Sequence, residues 1–208
     1  MLDLEILSAF FITSILLALV PGPDNIFVLT QSMLQGKKAG FIVVLGLCTG
    51  LLFHTFMVVV GVSVLFQTSI IAFTFLKIIG ALYLLYLAWQ LFKSSNSKIE
   101  TKKSHLIEYK KLYFKGIFMN ITNPKVSLFF LAFLSQFTNI NLGNISFQML
   151  VLGILFILST ILVFGLIAFF SEKLAKNFNK SNNFQNILNK FTSFIFVVLA
   201  IKLLITKQ

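Results

Sequence analysis

Apolar residues fall in six long runs along the chain, at about 4–34, 40–66, 70–92, 113–137, 145–171 and 187–206. Polar positions separate them at Gln35 to Lys38, near Gln67 to Ser69, from Lys93 to Lys111, from Thr138 to Asn144, and from Glu172 to Asn186. Several runs exceed the roughly 20 residues that a helix needs to cross a bilayer. The pattern predicts an all-α, polytopic membrane protein of six transmembrane helices. It forms one domain over residues 1–208, with a first half 1–92, a loop 93–112 and a second half 113–208. The sixth run is the least regular, because Asn189 and Lys190 interrupt its start.

Charge orients this array. The chain of 208 residues is 58% hydrophobic and 11% charged, too few charges to cover a soluble domain of this length. Its 17 basic residues are all lysine, against six acids. In a soluble protein a net charge of +11 would point to nucleic acid; here the lysines sit between the apolar runs, and orientation explains them without a nucleic-acid partner. Six spans put Lys37 and Lys38, then Lys93, Lys98, Lys102, Lys103, Lys110, Lys111 and Lys115, then Lys173, Lys176, Lys180 and Lys190 on one side, thirteen of the 17. Lysine excess marks the cytoplasmic face, so both termini are expected outside. Trp89, Tyr86, Tyr109 and Tyr113 fall near the same face, as interfacial aromatics do. The start, Met1 to Glu5, lacks the positive region of a secretory signal, and the first segment is expected to be retained. The single Cys48 leaves no partner for an internal disulfide or a cysteine-based zinc cluster.

Three ionisable residues fall inside the runs: Asp24, Lys77 and Lys125. The first run contains Pro21, Gly22, Pro23, Asp24 and Asn25, and prolines flanking a glycine interrupt a regular helix. As one straight helix this run would measure about 46 Å, against roughly 30 Å of hydrocarbon. The fourth run contains Asn120, Ile121, Thr122, Asn123, Pro124 and Lys125. Asp24 lies about 20 Å and Lys125 about 15 Å along the axis from the lysines at the cytoplasmic edge. Both breaks pair a proline with an ionisable residue, and they open the first and fourth of six spans. Halves of three spans each must be inverted relative to one another. Broken helices at corresponding places in inverted halves point to a transporter's midplane site. The plainer reading makes Pro21 to Asp24 a loop at the membrane edge. Two matched breaks, each with a charge that is costly in lipid unless paired or hydrated, favour function. Asp24 and Lys125 suit each other, or the two ends of a zwitterion.

These residues carry a resemblance. Pro21-Gly22-Pro23-Asp24, Gly36-Lys37-Lys38-Ala39-Gly40, Gly46, Gly50, His54 and Gly61 resemble the lysine exporter family of amino-acid efflux proteins (LysE/RhtB). Lys77, Gly80-Ala81, Tyr83-Leu84, Gly116, Asn123-Pro124-Lys125, Phe129-Phe130, Phe133 and Gln136-Phe137 continue it in order. Family members often carry asparagine at the Asp24 position. Ser135 replaces a proline, and Ser193 and Ala200 stand where glycines are usual. The resemblance implies a secondary transporter in a bacterial inner membrane that exports amino acids or close derivatives, with the proton as coupling ion. It selects no particular amino acid, and a homo-oligomer stays open.

On this reading substrate binding falls to Pro21, Gly22, Pro23, Asp24, Asn120, Asn123, Pro124 and Lys125. Lys125 takes a carboxylate; Asp24 takes an amino group or a proton. Gly46, Gly50 and His54 share one helix face, where small residues allow close contact. His54 either lines the pathway or hydrogen-bonds a neighbouring helix as a neutral imidazole. Asn120, Asn123 and Ser127 either hold substrate or satisfy backbone groups freed near Pro124. Lys77 fits snorkelling toward the interface, and the phenylalanines fit packing or lipid contact, with no cofactor implied. Two rival functions remain. One is efflux of a metal or other cation, for which Cys48, His54 and Asp24 make a poor ligand set. The other is a membrane enzyme or non-transporting assembly partner; no nucleophile–base constellation is present for an enzyme.

Overall fold

The computed structural model describes residues 2–20, 22–68, 70–93 and 108–171, with positions 190, 193–194, 197–198, 200–201 and 204–205 beyond them. Pro21, the loop positions 94–107, the side chain of Lys77 and much of the sixth run lie outside the described residues. Every regular element among the described residues is helical. The first run forms two helices, α1 (Leu4–Leu19) and α2 (Pro23–Gln35). The second and third form α3 (Lys37–Thr68) and α4 (Ile70–Lys93). The fourth again forms two, α5 (Tyr109–Ile121) and α6 (Pro124–Ala132), followed by a 3-10 turn over Leu134–Phe137. The fifth forms α7 (Ile145–Phe169), and the described positions 193–194, 197–198, 200–201 and 204–205 of the sixth are helical.

The helix boundaries follow local chemistry. Gly36, the single residue between α2 and α3, holds φ at +87°, a conformation a side chain resists. The Asn144 side chain accepts from the Phe147 amide and opens α7. Gln148 then reaches back to the preceding turn, donating to the Asn139 and Gly143 carbonyls and accepting from the Asn139 amide.

Among the described residues, α3 (over Lys37–Gly61) and α7 are each long and apolar enough to cross a membrane, and α1 with α2 would make a third span bent by 63°. Large apolar side chains cover the outer surface: Phe56, Trp89 and Phe118 are about two-thirds exposed, at 64%, 66% and 68%. A soluble monomer rarely presents such surface, whereas lipid covers it at no cost.

Inside, α3 is the axis, packed against α2, α5 and α7. Close approach of α3 and α5 depends on two glycines: a Cβ on Gly116 would lie 2.7 Å from the Val43 carbonyl oxygen, and one on Gly46 would collide with that of Tyr113. The shared face of Gly46, Gly50 and His54 is thus the face turned to α5. The buried apolar residues divide into two clusters stacked along the helices. One holds Leu51 and Val58 of α3, Phe156 of α7, Phe10 of α1, and Phe129, Phe130 and Phe133 around α6. The other holds Val43, Val44 and Leu47 of α3, Val163, Phe164 and Ala168 of α7, and Val28 of α2. Ser193 donates to the Ala88 carbonyl at 2.8 Å and ties the last segment to α4, and Ala200 is fully buried in the first cluster.

Candidate functional site

The two sequence breaks are two helix starts. Gly22, extended at φ −157°, precedes Pro23 and Asp24, the first two residues of α2. Asn123 precedes Pro124 and Lys125, the first two of α6. Proline at the first helical position costs no hydrogen bond, because that amide has no intrahelical acceptor. Each half-helix therefore begins proline–ionisable residue, and each ionisable side chain is buried: Asp24 is 2% exposed and Lys125 8%.

The electrostatics of the two starts differ. A carboxylate at a helix N-terminus is favoured by the peptide dipoles, and an ammonium there is opposed. Lys125 resolves this by reaching away from its own helix. Its Nζ donates to the carbonyl oxygens of Leu17 at 3.3 Å and Val20 at 3.1 Å, at the C-terminus of α1. Asn25 Nδ2 donates to the Ala18 oxygen between them at 2.6 Å. Carbonyls of a helix's last turn lack intrahelical donors, and in lipid they need protein donors; the Leu17 carbonyl also takes the Val20 amide, and Lys125 and Asn25 supply the rest. Gly22 lies so close that a Cβ there would sit 3.3 Å from Lys125 Nζ.

The second break reaches back to the first. Asn120 Nδ2 donates to Asp24 Oδ2 at 3.4 Å. Asn120 fits because α3 carries glycine opposite: a Cβ on Gly50 would lie 2.7 Å from both Asn120 Cβ and Oδ1. His54 Nε2 lies 3.2 Å from the Asn120 carbonyl oxygen and donates to it. Asn123 Oδ1 accepts from the Lys125 amide at 3.0 Å, and Ser127 Oγ donates to the Asn123 carbonyl at 3.1 Å. Asp24 and Lys125 interact through charge, but they close no salt bridge: Lys125 is held by backbone, Asp24 by amide.

Four buried polar atoms at this junction have no hydrogen-bond partner: Asp24 Oδ1, Asn25 Oδ1, Asn120 Oδ1 and Asn123 Nδ2. Buried polar groups are nearly always satisfied, so such a concentration marks a place for water or a ligand. Asp24, Asn120 and Lys125 line a cavity together with Leu17, Ala18, Leu51, Val126, Phe156, Thr160 and Phe164. The volume open to the centre of a water-sized sphere is about 10 Å³, room for about one water. The cavity lies where the two apolar clusters meet, with Phe156 and Leu51 from one and Phe164 and Ala18 from the other.

The structure thus brings Gly22, Asp24, Asn120, Asn123, Lys125 and His54 together, with Pro23 and Pro124 at the helix starts and Pro21 outside the described residues. His54 takes the interhelical hydrogen bond; Asn123 and Ser127 satisfy backbone, and Asn120 faces the carboxylate. The sequence reading omitted Asn25 and the α7 wall of Phe156, Thr160 and Phe164. Asn25 was visible as an amide beside Asp24, and Ser159-Thr160 as a polar pair in the middle of an otherwise apolar run. Phe156 and Phe164 carried no signal to separate them from lipid-facing phenylalanines.

The sequence model of the LysE type translocator family matches residues 15–207. The chain is 33% identical to the uncharacterized membrane protein YrhP of Bacillus subtilis (strain 168) over 205 residues, covering 94% of this chain and 97% of that one. It is 28% identical to an uncharacterized membrane protein of Vibrio cholerae serotype O1 over 197 residues, covering 94% and 95%. No solved structure matches the chain at a significant level.

Proposed function

This chain belongs to the LysE type translocator family, and on that premise we propose that it exports amino acids or close derivatives from the cytoplasm by exchange with protons. The carrying observation is the junction of the broken helices: a carboxylate and an ammonium, both buried, line one cavity amid four polar atoms without partners. A zwitterion satisfies that set. Its carboxylate takes Lys125 and its ammonium takes Asp24, with Asn120 and Asn123 completing the polar shell. Protonation of Asp24 is the alternative to ammonium binding, and exchange of the two at one carboxylate couples substrate to proton.

With room for about one water, the cavity must widen to admit an amino acid. Alternating access then opens one apolar cluster at a time, each acting as the seal on one side of the polar layer. The paired proline starts of α2 and α6 support two inverted halves that rock against each other about this layer. The lysine distribution supports a bacterial inner-membrane orientation with both termini outside.

The test is efflux of loaded amino acids from proteoliposomes with and without an imposed pH gradient. The wild type is expected to export faster with the gradient, and Asp24→Ala and Lys125→Ala to lose most of that rate. Wild-type rates in both variants would remove these residues from the site.

A further inference from the structure

We propose that the site selects a net-neutral α-amino acid with an apolar side chain and discriminates against dibasic and diacidic ones. This rests on the transport reading above and specifies its substrate.

Charge supplies the first argument. Of the chain's six acids, Asp3 and Glu5 lie at its start, Glu100, Glu108 and Glu172 lie between apolar runs, and only Asp24 lies within one. Among the described residues the cavity is lined by one acid, Asp24, and one lysine, Lys125. A zwitterion with an uncharged side chain matches each formal charge once. A dibasic amino acid brings a second cation to a site whose single carboxylate is already engaged, beside Lys125 and with His54 one residue removed through Asn120. A diacidic one brings a second carboxylate opposite a single lysine. An unpaired charge in a low-dielectric interior is strongly disfavoured.

The second argument is the segregation of the walls. At this junction the polar atoms without partners belong to Asp24, Asn25, Asn120 and Asn123, all at the two breaks, and of these Asp24 and Asn120 line the cavity itself. The remaining wall is Leu17, Ala18, Leu51, Val126, Phe156 and Phe164, with Thr160 between. With its α-amino and α-carboxyl groups held at the breaks, a substrate turns its side chain toward hydrocarbon. An amide or charged side chain would lose its hydration there with little in exchange.

Leucine and asparagine are close in shape and differ in polarity, so they isolate the wall; lysine and glutamate isolate the charge. Proteoliposomes would be loaded with each in labelled form, and the binding of each measured separately through the rise in Tm of the purified protein. L-leucine is expected to raise Tm and to leave at least about tenfold faster than L-asparagine, L-lysine or L-glutamate. Phe156→Asp, and as a second variant Thr160→Asp, adds a carboxylate to the wall and is expected to shift preference from leucine toward lysine. Lysine or glutamate efflux at the leucine rate would overturn the selectivity and leave transport standing. Leucine stabilisation without efflux of any probe would support the selectivity and overturn transport. No binding and no efflux of any of the four would overturn the proposal.

Discussion

The glycines of α3 do different work although each interrupts the same apolar run. Gly50 faces Asn120, and a Cβ there would lie 2.7 Å from that side chain. Gly61, on the same helix, has nothing within 4 Å of a built Cβ. Gly50→Ala must therefore displace the amide that holds Asp24, an overpacking cost of about 1–3 kcal/mol, and transport is expected to fall with it. Gly61→Ala only removes backbone freedom and is expected to be neutral or to stabilise by about 0.4–1 kcal/mol. Cys48, the sole cysteine and buried, reports the difference directly. A thiol-reactive dye should label it at lower temperature in Gly50→Ala and at the same or higher temperature in Gly61→Ala. Equal shifts in both variants would show that Asn120 has room to move.

At the scale of the helix, the interruption of the first span is held from two sides. Lys125 caps the Leu17 and Val20 carbonyls, and Asn25 caps that of Ala18. Lys125→Met and Asn25→Leu keep side-chain bulk but leave the Val20 and Ala18 carbonyls without these donors, at about 1–3 kcal/mol for each unsatisfied group, while the Leu17 carbonyl keeps the Val20 amide. Because both act on one helix end, fraying after the first loss makes the second cheaper. The double variant is expected to fall short of the summed losses by about 0.5–3 kcal/mol, measured by the same Cys48 labelling; strict additivity would mean that the caps act independently. This interlock also sets what was legible in the sequence. Hydropathy located the runs, because lipid demands long uninterrupted apolar stretches, and proline located the breaks. Spacing found the α5-facing side of α3. The target of Lys125 was not legible: a buried lysine and a buried aspartate suggest an ion pair, whereas the helix-end carbonyls that it caps are presented only once α1 stops short of the bend. Asn25 was missed for the same reason, and the α7 wall because an apolar helix has no polar face to mark which side turns inward.

Across the described residues, the polar junction lies where two apolar clusters meet, and the clusters differ in composition. One carries six buried phenylalanines among its aliphatic residues: Phe10, Phe129, Phe133 and Phe137 meet in tilted and edge-on contacts with centroid separations from 4.8 to 6.3 Å, and Phe156 extends them to the cavity edge. The other is mostly aliphatic, with Leu47, Val43 and Val163 around Phe164. If each cluster seals one side, thinning either should open the cavity to that side alone. A cysteine at Thr160, on the cavity wall, reports this in a Cys48→Ser background. With both seals intact, a membrane-impermeant thiol reagent should label it slowly from either side of an oriented vesicle. Phe133→Ala, removing a fully buried ring, should speed labelling from one side, and Leu47→Ala, equally buried, from the other. Because a cavity can collapse after truncation, the side of labelling is more diagnostic than its rate. Acceleration from the same side in both variants would mean that the clusters are a single packed core, and that the polar layer opens by a route outside them.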